Sequence, residues 1–455
     1  MTEKINIREL ALAVLLEAGK KEQKSSQLIH SVLEKYQYLP RQDRAFFTRL
    51  CQGTLEYRLQ LDYILDVYSR VPARKMKPVV REILRMAVYQ LKYMDSIPDS
   101  AAVNEAVKLA GRKGLPQLKG FINGVLRAAA RGLQECPWPE KTDPVRFLSV
   151  RYSMPEYLVE KWLKELGAEA TENMLRAFLL EEPLTVRIRG GSTERENVLE
   201  ELREQGVLAE KAPYVQSAYY LKKYDKLEKL TAFRRGRLQV QDVSSMLAAE
   251  AAAPGEGSLI LDLCAAPGGK SLYLADLAGE GSLVIARDLT PGKVQLIREN
   301  ADRCGAGQVR PEQWDACETD PEMIEKADTV LADVPCSGYG VIGRKPDIKY
   351  RASAEREDAL VELQRKILTN AVAYVKPGGV LLYSTCTVNY AENQGNAKWL
   401  AGNFPLKPES LDPFLPQELR TENTGRGFLQ LLPGAHSCDG FFMARFRKKK
   451  MDGER

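Results

Sequence analysis

Two short stretches near the C-terminal end carry the residue types that do chemistry. One is Asp333-Val-Pro-Cys336-Ser-Gly338; the other is Tyr383-Ser-Thr-Cys386-Thr387. Each sets a cysteine just past an apolar run, residues 329–332 and 380–382, that reads as a buried strand. A parallel sheet delivers such residues to one edge, where open α/β folds bind ligands. A thiolate that adds to carbon 6 of a pyrimidine makes carbon 5 nucleophilic toward an electrophilic methyl group, splitting one hard step into easier ones. A carboxyl group at ring nitrogen 3 stabilises the adduct, and a further group assists its breakdown. Cys386, Asp333 and Cys336 are the types this scheme needs. Methylation of an exocyclic amine asks instead for Asn/Asp-Pro-Pro and an aromatic, and here the aromatic slot holds Cys336. Taken singly, either cysteine reads as a small buried residue. That both follow strand ends and precede small polar residues tips the reading toward function.

Upstream, residues 258–263 read as a strand. It leads into Cys264-Ala265-Ala266-Pro267-Gly268-Gly269-Lys270-Ser271 and then a helix through 272–277. A glycine turn there exposes backbone N–H groups at a helix N-terminus. Asp288 ends the next strand, 288 − 268 = 20 positions after Gly268, which suits ribose hydroxyls. A P-loop needs glycine where Cys264 stands, and the G-x-G-x-x-G dinucleotide pattern is missing. What remains is a methyl-donor cradle, since no pyrophosphate has to be gripped.

These elements sit in a chain of 455 residues, long enough for two to four domains. Residues 1–135 read as all-helical, with one stripe running from Phe47 through Leu50, Thr54, Tyr57 and Leu61 to Leu65, and a stop at Gly132. Pro137, Pro139 and Pro144 interrupt regular structure across a linker. Residues 146–238 read as a small α+β domain that opens on a capping box, Ser153-Met-Pro-Glu156, and that serves as a substrate platform or a plain spacer. Residues 239–450 alternate strand and helix, the pattern of a parallel sheet with crossover helices.

The net charge of +5 is weak, but basic residues cluster. Lys222, Lys223, Lys226, Lys229, Arg234, Arg235 and Arg237 form one group; Arg445, Arg447, Lys448, Lys449 and Lys450 form another. Either suits a polyanion, or else a solvated surface and a solubilising tail. Arg74, Lys75, Lys77, Arg81 and Arg85 read equally as a solvated or an RNA-facing group. The eight cysteines form no C-x-x-C pair and read as reduced thiols, and two histidines argue against a histidine-rich metal site or a His-centred triad. No apolar run is long enough to span a bilayer, and residues 1–8 lack an apolar signal core. A cytoplasmic, monomeric protein with no metal and no membrane partner is expected.

The motifs of the third domain resemble the RNA cytosine-C5 methyltransferases of the RsmB/Sun family. The carrying residues are Leu261-Asp-Leu-Cys-Ala-Ala-Pro-Gly-Gly-Lys270, Asp333-Val-Pro-Cys-Ser-Gly338, Lys345-Pro-Asp347 and Tyr383-Ser-Thr-Cys-Thr387. Gln241-Asp-Val-Ser-Ser245 and Asp439-Gly-Phe-Phe442 add to them. The N-terminal part resembles the NusB-like RNA-binding domain, through Gln42-Asp43-Arg44 opening the second helix and Gly120-Phe-Ile-Asn-Gly-Val-Leu-Arg127 in the last. The resemblance implies a multidomain chain: an all-α NusB-like domain, a small α+β linker domain and an α/β Rossmann-like methyltransferase domain. It implies small-subunit (16S) ribosomal RNA as substrate and S-adenosyl-L-methionine as methyl donor, bound by Cys264, Ala265, Ala266, Pro267, Gly268, Gly269, Lys270, Asp288, Asp315 and Asp333. It makes Cys386 the nucleophile and Cys336 the residue that aids product release, with Lys270 also orienting substrate. Two departures stand out: Gly343 where the family often has an arginine, and an unusually polar third strand over 308–314. Other readings are the same chemistry on another RNA such as tRNA, and a non-catalytic RNA-binding assembly factor.

Overall fold

The structure is a computed structural model that describes residues 5–20 and 25–450; residues 1–4 of the stretch read for a signal core lie outside them. The chain divides into two compact units. One comprises the N-terminal part to Leu179 together with Ile342–Ala352; the other comprises Leu180–Val341 and Ser353 onward.

The first unit is helical. Its centre is the helix Pro78–Tyr93, opened by proline at its first position and buried on nearly every side from Glu82 to Gln90. The helices Ile7–Ala18, Arg41–Glu56, Arg58–Tyr68, Asp99–Arg112 and Lys119–Gly132 pack their apolar stripes into the same core. Several sequence expectations are corrected here. The stripe through Phe47 and Leu65 is two helices, because the chain turns at Tyr57 (φ −92°, ψ 12°). Helix Ser25–Lys35 precedes the one that Gln42 opens, so that helix is the third. Pro144 does not interrupt structure; it opens the helix Pro144–Arg151, where a missing N–H costs nothing. Ser153 is no N-cap: Pro155 takes that place, and the Ser153 hydroxyl accepts the Leu59 N–H at 3.1 Å. Arg85 faces no solvent; it is buried between Asp62 and Glu82. Arg74, Lys75 and Lys77 are exposed.

The segment Ile342–Ala352 completes this unit. Lys349 Nζ donates to the Glu56 carbonyl at 2.7 Å and the Tyr350 hydroxyl to the Leu55 carbonyl at 2.7 Å, and both acceptors lie in the last turn of helix Arg41–Glu56. Terminal carbonyls of a helix have no partner within it, so this distant segment caps them.

The second unit begins with a four-stranded antiparallel sheet of β1 (Leu184–Ile188), β2 (Leu208–Lys211), β3 (Ala218–Lys222) and β4 (Leu238–Val240), in the order β2-β3-β1-β4. Helix Ser192–Glu204 covers one face through Val198 and Leu202. A larger sheet follows: β5 (Leu259–Asp262), β6 (Leu283–Asp288), β7 (Val309–Gln313), β8 (Ala327–Asp333), β9 (Val375–Thr385), β10 (Leu406–Pro408), β11 (Phe428–Leu431) and β12 (Phe441–Lys448). β7-β6-β5-β8-β9 run parallel, and β12 joins β9 antiparallel. The polar stretch 308–314 does form the third strand of this series, at the sheet end where only β6 pairs with it. The order reverses between β5 and β8, and ligands bind outside the carboxyl ends of strands at such a switch.

Arg445 and Lys448 are no solubilising tail. They lie buried in β12, where Arg445 meets Glu409 at 2.7 Å and Lys448 Nζ donates to the carbonyls of Val372 and Val375. Of the other basic cluster, Lys222, Lys223, Lys229, Arg234 and Arg235 are exposed. Arg187 and Arg189 both clamp Asp276, on helix Gly269–Ala278, at 2.6 Å. That pairing fixes the small sheet against the helix that follows β5. No helix among the described residues is long and apolar enough to cross a membrane.

Candidate active site

The carboxyl ends of β5, β6, β7, β8 and β9 each deliver one part of the site. After β5 the chain turns through Leu263–Gly268 into helix Gly269–Ala278. Gly268 takes φ +101°, and a Cβ there would meet Ile297 Cγ2 at 3.3 Å. Only glycine adopts that backbone without strain. The Ala265 N–H donates to the Arg287 carbonyl at 2.9 Å and the Ala266 N–H to Asp288 Oδ2 at 3.0 Å. The Asn300 side chain holds the Pro267 carbonyl at 3.0 Å. The loop is thus tied to β6 and its helix, while small side chains at 265, 266, 268 and 269 leave its backbone open to a ligand.

Asp288, at the end of β6, is buried. Besides Ala266 it accepts the Leu289 N–H at 2.8 Å and Lys293 Nζ at 2.9 Å. Its first task is therefore to hold the cradle, which leaves some of its acceptor positions for a ligand. Asp315 lies just past β7; it is exposed, and Oδ1 accepts the Cys317 N–H at 2.9 Å. The backbone N–H of Trp314 donates to the Asp288 carbonyl at 3.1 Å, which keeps these two strand ends together.

Asp262, the last residue of β5, is fully shielded. Ser271 donates to its Oδ2 at 2.7 Å, while Oδ1 is buried without a partner. Burial pushes its pKa up to about 7, against the pull of Ser271 and Lys270. A buried, unpaired acceptor beside an open glycine loop is what a donor group of a bound ligand satisfies. The site thereby offers an acceptor that fits the amine of an amine-bearing cofactor.

The thiols come from β8 and β9. Parallel register pairs Ala332 with Tyr383 and Asp333 with Ser384, so the two following loops leave the sheet side by side. Cys336 Sγ and Cys386 Sγ lie 3.3 Å apart. Asp333 accepts the Ser384 hydroxyl at 2.8 Å on Oδ1 and Lys270 Nζ at 2.6 Å on Oδ2. Lys270, Asp333, Cys336 and Cys386 therefore form one cluster. Burial pulls the Lys270 pKa down, but Asp333, with Asp262 and Cys386 behind it, outweighs this and raises it, so the ammonium stays charged. The hydrogen bond to Cys386 first, and burial second, hold the Cys336 thiol well above the usual thiol range, so it keeps its proton. Burial does the same to Cys264, aided by the surrounding carboxylates, and disfavours it as a nucleophile.

A close glycine pair locks the thiol loops to β12. The Gly440 N–H donates to the Gly340 carbonyl at 2.9 Å, and the Gly340 N–H to the Cys386 carbonyl at 3.1 Å. A Cβ on Gly340 would fall 1.9 Å from the Gly440 oxygen. A Cβ on Gly440 would in turn fall 2.6 Å from the Gly340 Cα, which explains the glycine of Asp439-Gly-Phe-Phe442. Gln241 and Asp242 act nearby: Asp242 caps helix Val243–Ala252 and accepts the Asp439 N–H at 3.3 Å.

Sequence reasoning passed over Asp262, although it lies inside a quoted motif, and Glu392, on the π-helical turn Ala391–Gly395. The legible signal for Glu392 is the set of polar residues Asn389, Glu392, Asn393 and Gln394, which begins three positions after Cys386.

Three family models match the chain. "16S rRNA methyltransferase RsmB/F" covers residues 249–447, the NusB family residues 5–131, and the ferredoxin-like domain of RsmF/B-like methyltransferases residues 154–227. The fold is accordingly an NusB-like helical part, a small ferredoxin-like part and an α/β methyltransferase part. Among solved structures, that of PH0851 is 26% identical, with a TM-score of 0.79 over 98% of this chain and 100% of that one. NSun6 from Pyrococcus horikoshii shares the fold, at 23% identity and a TM-score of 0.57 over 65% of this chain and 99% of its own. The probable ribosomal RNA small subunit methyltransferase B of Bacillus subtilis is 37% identical over 98% of this chain and 100% of its own length. The ribosomal RNA small subunit methyltransferase B of Vibrio cholerae is 32% identical over 90% of both. With likeness at this level along nearly its whole length, the chain belongs to the ribosomal RNA small subunit methyltransferase B family.

Proposed function

We propose that this protein transfers a methyl group from S-adenosyl-L-methionine to carbon 5 of a cytosine in 16S rRNA, through a covalent bond between Cys386 and carbon 6. The observation that carries the reading is the pair of thiols 3.3 Å apart beside Asp333 and Lys270, at the sheet edge that also bears the glycine cradle. Family membership supports the substrate class, since the relatives are named for small-subunit ribosomal RNA.

Bound S-adenosylmethionine supplies a methyl group on a sulfonium, an electrophile. Cys264–Lys270, Asp288, Asp315 and Asp333 are the residues that hold it. Cys386, as the thiolate, adds to carbon 6. The Lys270–Asp333 pair faces nitrogen 3 and supplies the proton or hydrogen bond that lets carbon 5 carry electron density. Once carbon 5 is methylated its proton passes to solvent, the carbon 5–carbon 6 double bond re-forms, and the thiolate of Cys386 leaves. Cys336 keeps its proton and donates a hydrogen bond to that sulfur, stabilising it as it departs. In this reading the chain works as three domains. Residues 1–135 and 146–238 grip RNA, the exposed Lys222–Arg235 cluster included, and residues 239–450 perform the transfer.

The test is a trapping gel with unmodified 16S rRNA and S-adenosylmethionine. Cys336→Ala is expected to give a slow-migrating protein–RNA adduct, and Cys386→Ala none. An adduct with Cys386→Ala alone reverses the two roles. Wild-type activity on tRNA but not on 16S rRNA replaces the substrate. No methyl transfer to either RNA, with RNA binding intact, replaces the enzyme with an assembly factor.

A further inference from the structure

Behind the thiols lies a carboxylate that the reaction scheme does not use. Glu392 is fully buried, on the π-helical turn six residues beyond Cys386, a type of turn that recurs at functional sites. Its two oxygens accept four hydrogen bonds. Oε2 takes the Ser337 N–H at 2.9 Å and the Gln364 amide at 2.8 Å; Oε1 takes the Ser337 hydroxyl at 2.5 Å and the Asn389 amide at 2.8 Å. Gln364 also donates to the Pro335 carbonyl at 2.9 Å. The two residues that flank Cys336 are thus both held from the Glu392 side. The Ser337 hydroxyl meets Thr387 Oγ1 at 2.6 Å, directly after Cys386.

The two cysteines are supported differently. Cys386 follows β9 without a gap, and the ladders to β8 and β12 fix its position. Cys336 stands in a loop three residues past β8. Burial raises the pKa of Glu392, and the four donors work against it. A carboxylate kept in such a place is costly unless every oxygen is satisfied, so it is retained for what it holds.

We propose that Glu392 is a positioning residue for the thiol pair: it holds the Cys336 loop against the Cys386 loop and so sets the distance between the two sulfurs. The inference rests on the two-thiol reaction above for its kinetic consequence, though not for its geometric one. Losing Glu392 frees Cys336 and leaves Cys386 on its strand. Attack and methyl transfer then survive while release slows, because the departing sulfur has lost its donor.

Two measurements test this on the full chain. The first compares turnover and trapped adduct for wild type, Glu392→Ala, Glu392→Gln and the milder Ser337→Ala, with Cys336→Ala as reference. Glu392→Ala is expected to lower kcat at least tenfold, to keep KM for RNA within about twofold, and to accumulate adduct as Cys336→Ala does. Glu392→Gln, which keeps one acceptor, and Ser337→Ala should fall between. The second is binding of phenylarsine oxide, which bridges two thiols whose sulfurs lie close together. Affinity at the Cys336–Cys386 pair should drop at least tenfold in Glu392→Ala and be absent in Cys386→Ala. Loss of turnover without adduct, while Cys336→Ala traps, reduces Glu392 to a structural role and overturns the proposal; so does unchanged arsenical binding. If Cys336→Ala fails to trap while arsenical affinity still depends on Glu392, the two-thiol chemistry fails and the positioning role stands. Should Glu392→Ala not fold, Ser337→Ala decides: wild-type turnover and arsenical affinity in that variant refute the role.

Discussion

Gly340→Ala is the most pointed test of how the thiol loops are built. The added Cβ would lie 1.9 Å from the Gly440 carbonyl oxygen, 2.4 Å from its carbon and 2.8 Å from its Cα, where real contacts stay beyond 3.0 Å. The two backbones must separate by about 1.1 Å, the difference between 3.0 and 1.9 Å. No flexible side chain can absorb this, because every clashing atom is backbone. The shift breaks the Gly440 N–H bond to Gly340 and strains the Gly340 N–H bond to the Cys386 carbonyl. Two such bonds are worth about 1 kcal/mol each, and overpacking adds roughly 1–3 kcal/mol, for a loss of about 3–5 kcal/mol. For a unit of this size that is a fall in Tm of roughly 5–15 °C. Because Cys386 is displaced as well, a shift near 1 Å should cost about a hundredfold in methyl transfer. The assay is thermal melting together with single-turnover methylation of 16S rRNA. Gly292→Ala is the control, since a Cβ there meets nothing within 4 Å and should not destabilise. A Gly340→Ala protein with wild-type Tm and rate would refute the claim that this glycine pair fixes the loops.

Lys349 is buried, and burial lowers its pKa to about 7. Between pH 7 and the ordinary lysine range near 10.5, the unfolded chain holds a proton that the folded one lacks. Stability of the helical unit should therefore rise with pH across that window, by up to about 1.4 kcal/mol per pH unit. Lys349→Met should abolish that slope in denaturant titrations. Asp262 runs the other way: its folded pKa of about 7 exceeds the unfolded value near 3.8, so the folded state binds more protons between them and stability falls as pH rises. Asp262→Asn should flatten that part of the profile and weaken S-adenosylmethionine binding by calorimetry. Lys270→Met leaves the Asp333 carboxylate without its cation; a fall of about a hundredfold in single-turnover methyl transfer is expected.

The sheet domain was legible because its signals are local. The glycine turn after β5 and the cysteines after β8 and β9 each stand within a few residues of the apolar run that marks their own strand. The same holds for Lys270 and Asp288, which sit where sequence spacing put them. Arg445 and Lys448 were misread because the charge is local and its partner is not. Glu409 and the carbonyls of Val372 and Val375 lie on other elements, and they turn an apparent tail into a buried strand. Tyr57 divides an unbroken apolar stripe, since periodicity marks a face and not its ends. Pro144 stands where proline is best tolerated, at the first position of a helix, and so marks a start where a proline-rich stretch suggests a break. Glu392 escaped notice for the same reason as Glu409: nothing in its neighbourhood of sequence says which loop it holds.

The helical unit is discontinuous in the chain, and that has a consequence for synthesis. Its N-terminal part ends at Leu179, while the segment that caps helix Arg41–Glu56 arrives only with Ile342–Ala352. A ribosome must add about 170 residues between them, a delay of the order of 10–30 s at 5–20 residues per second. Throughout that interval the carbonyls of Leu55 and Glu56 lack Tyr350 and Lys349. The N-terminal helices thus emerge first yet settle only after β8 and Cys336 have been made.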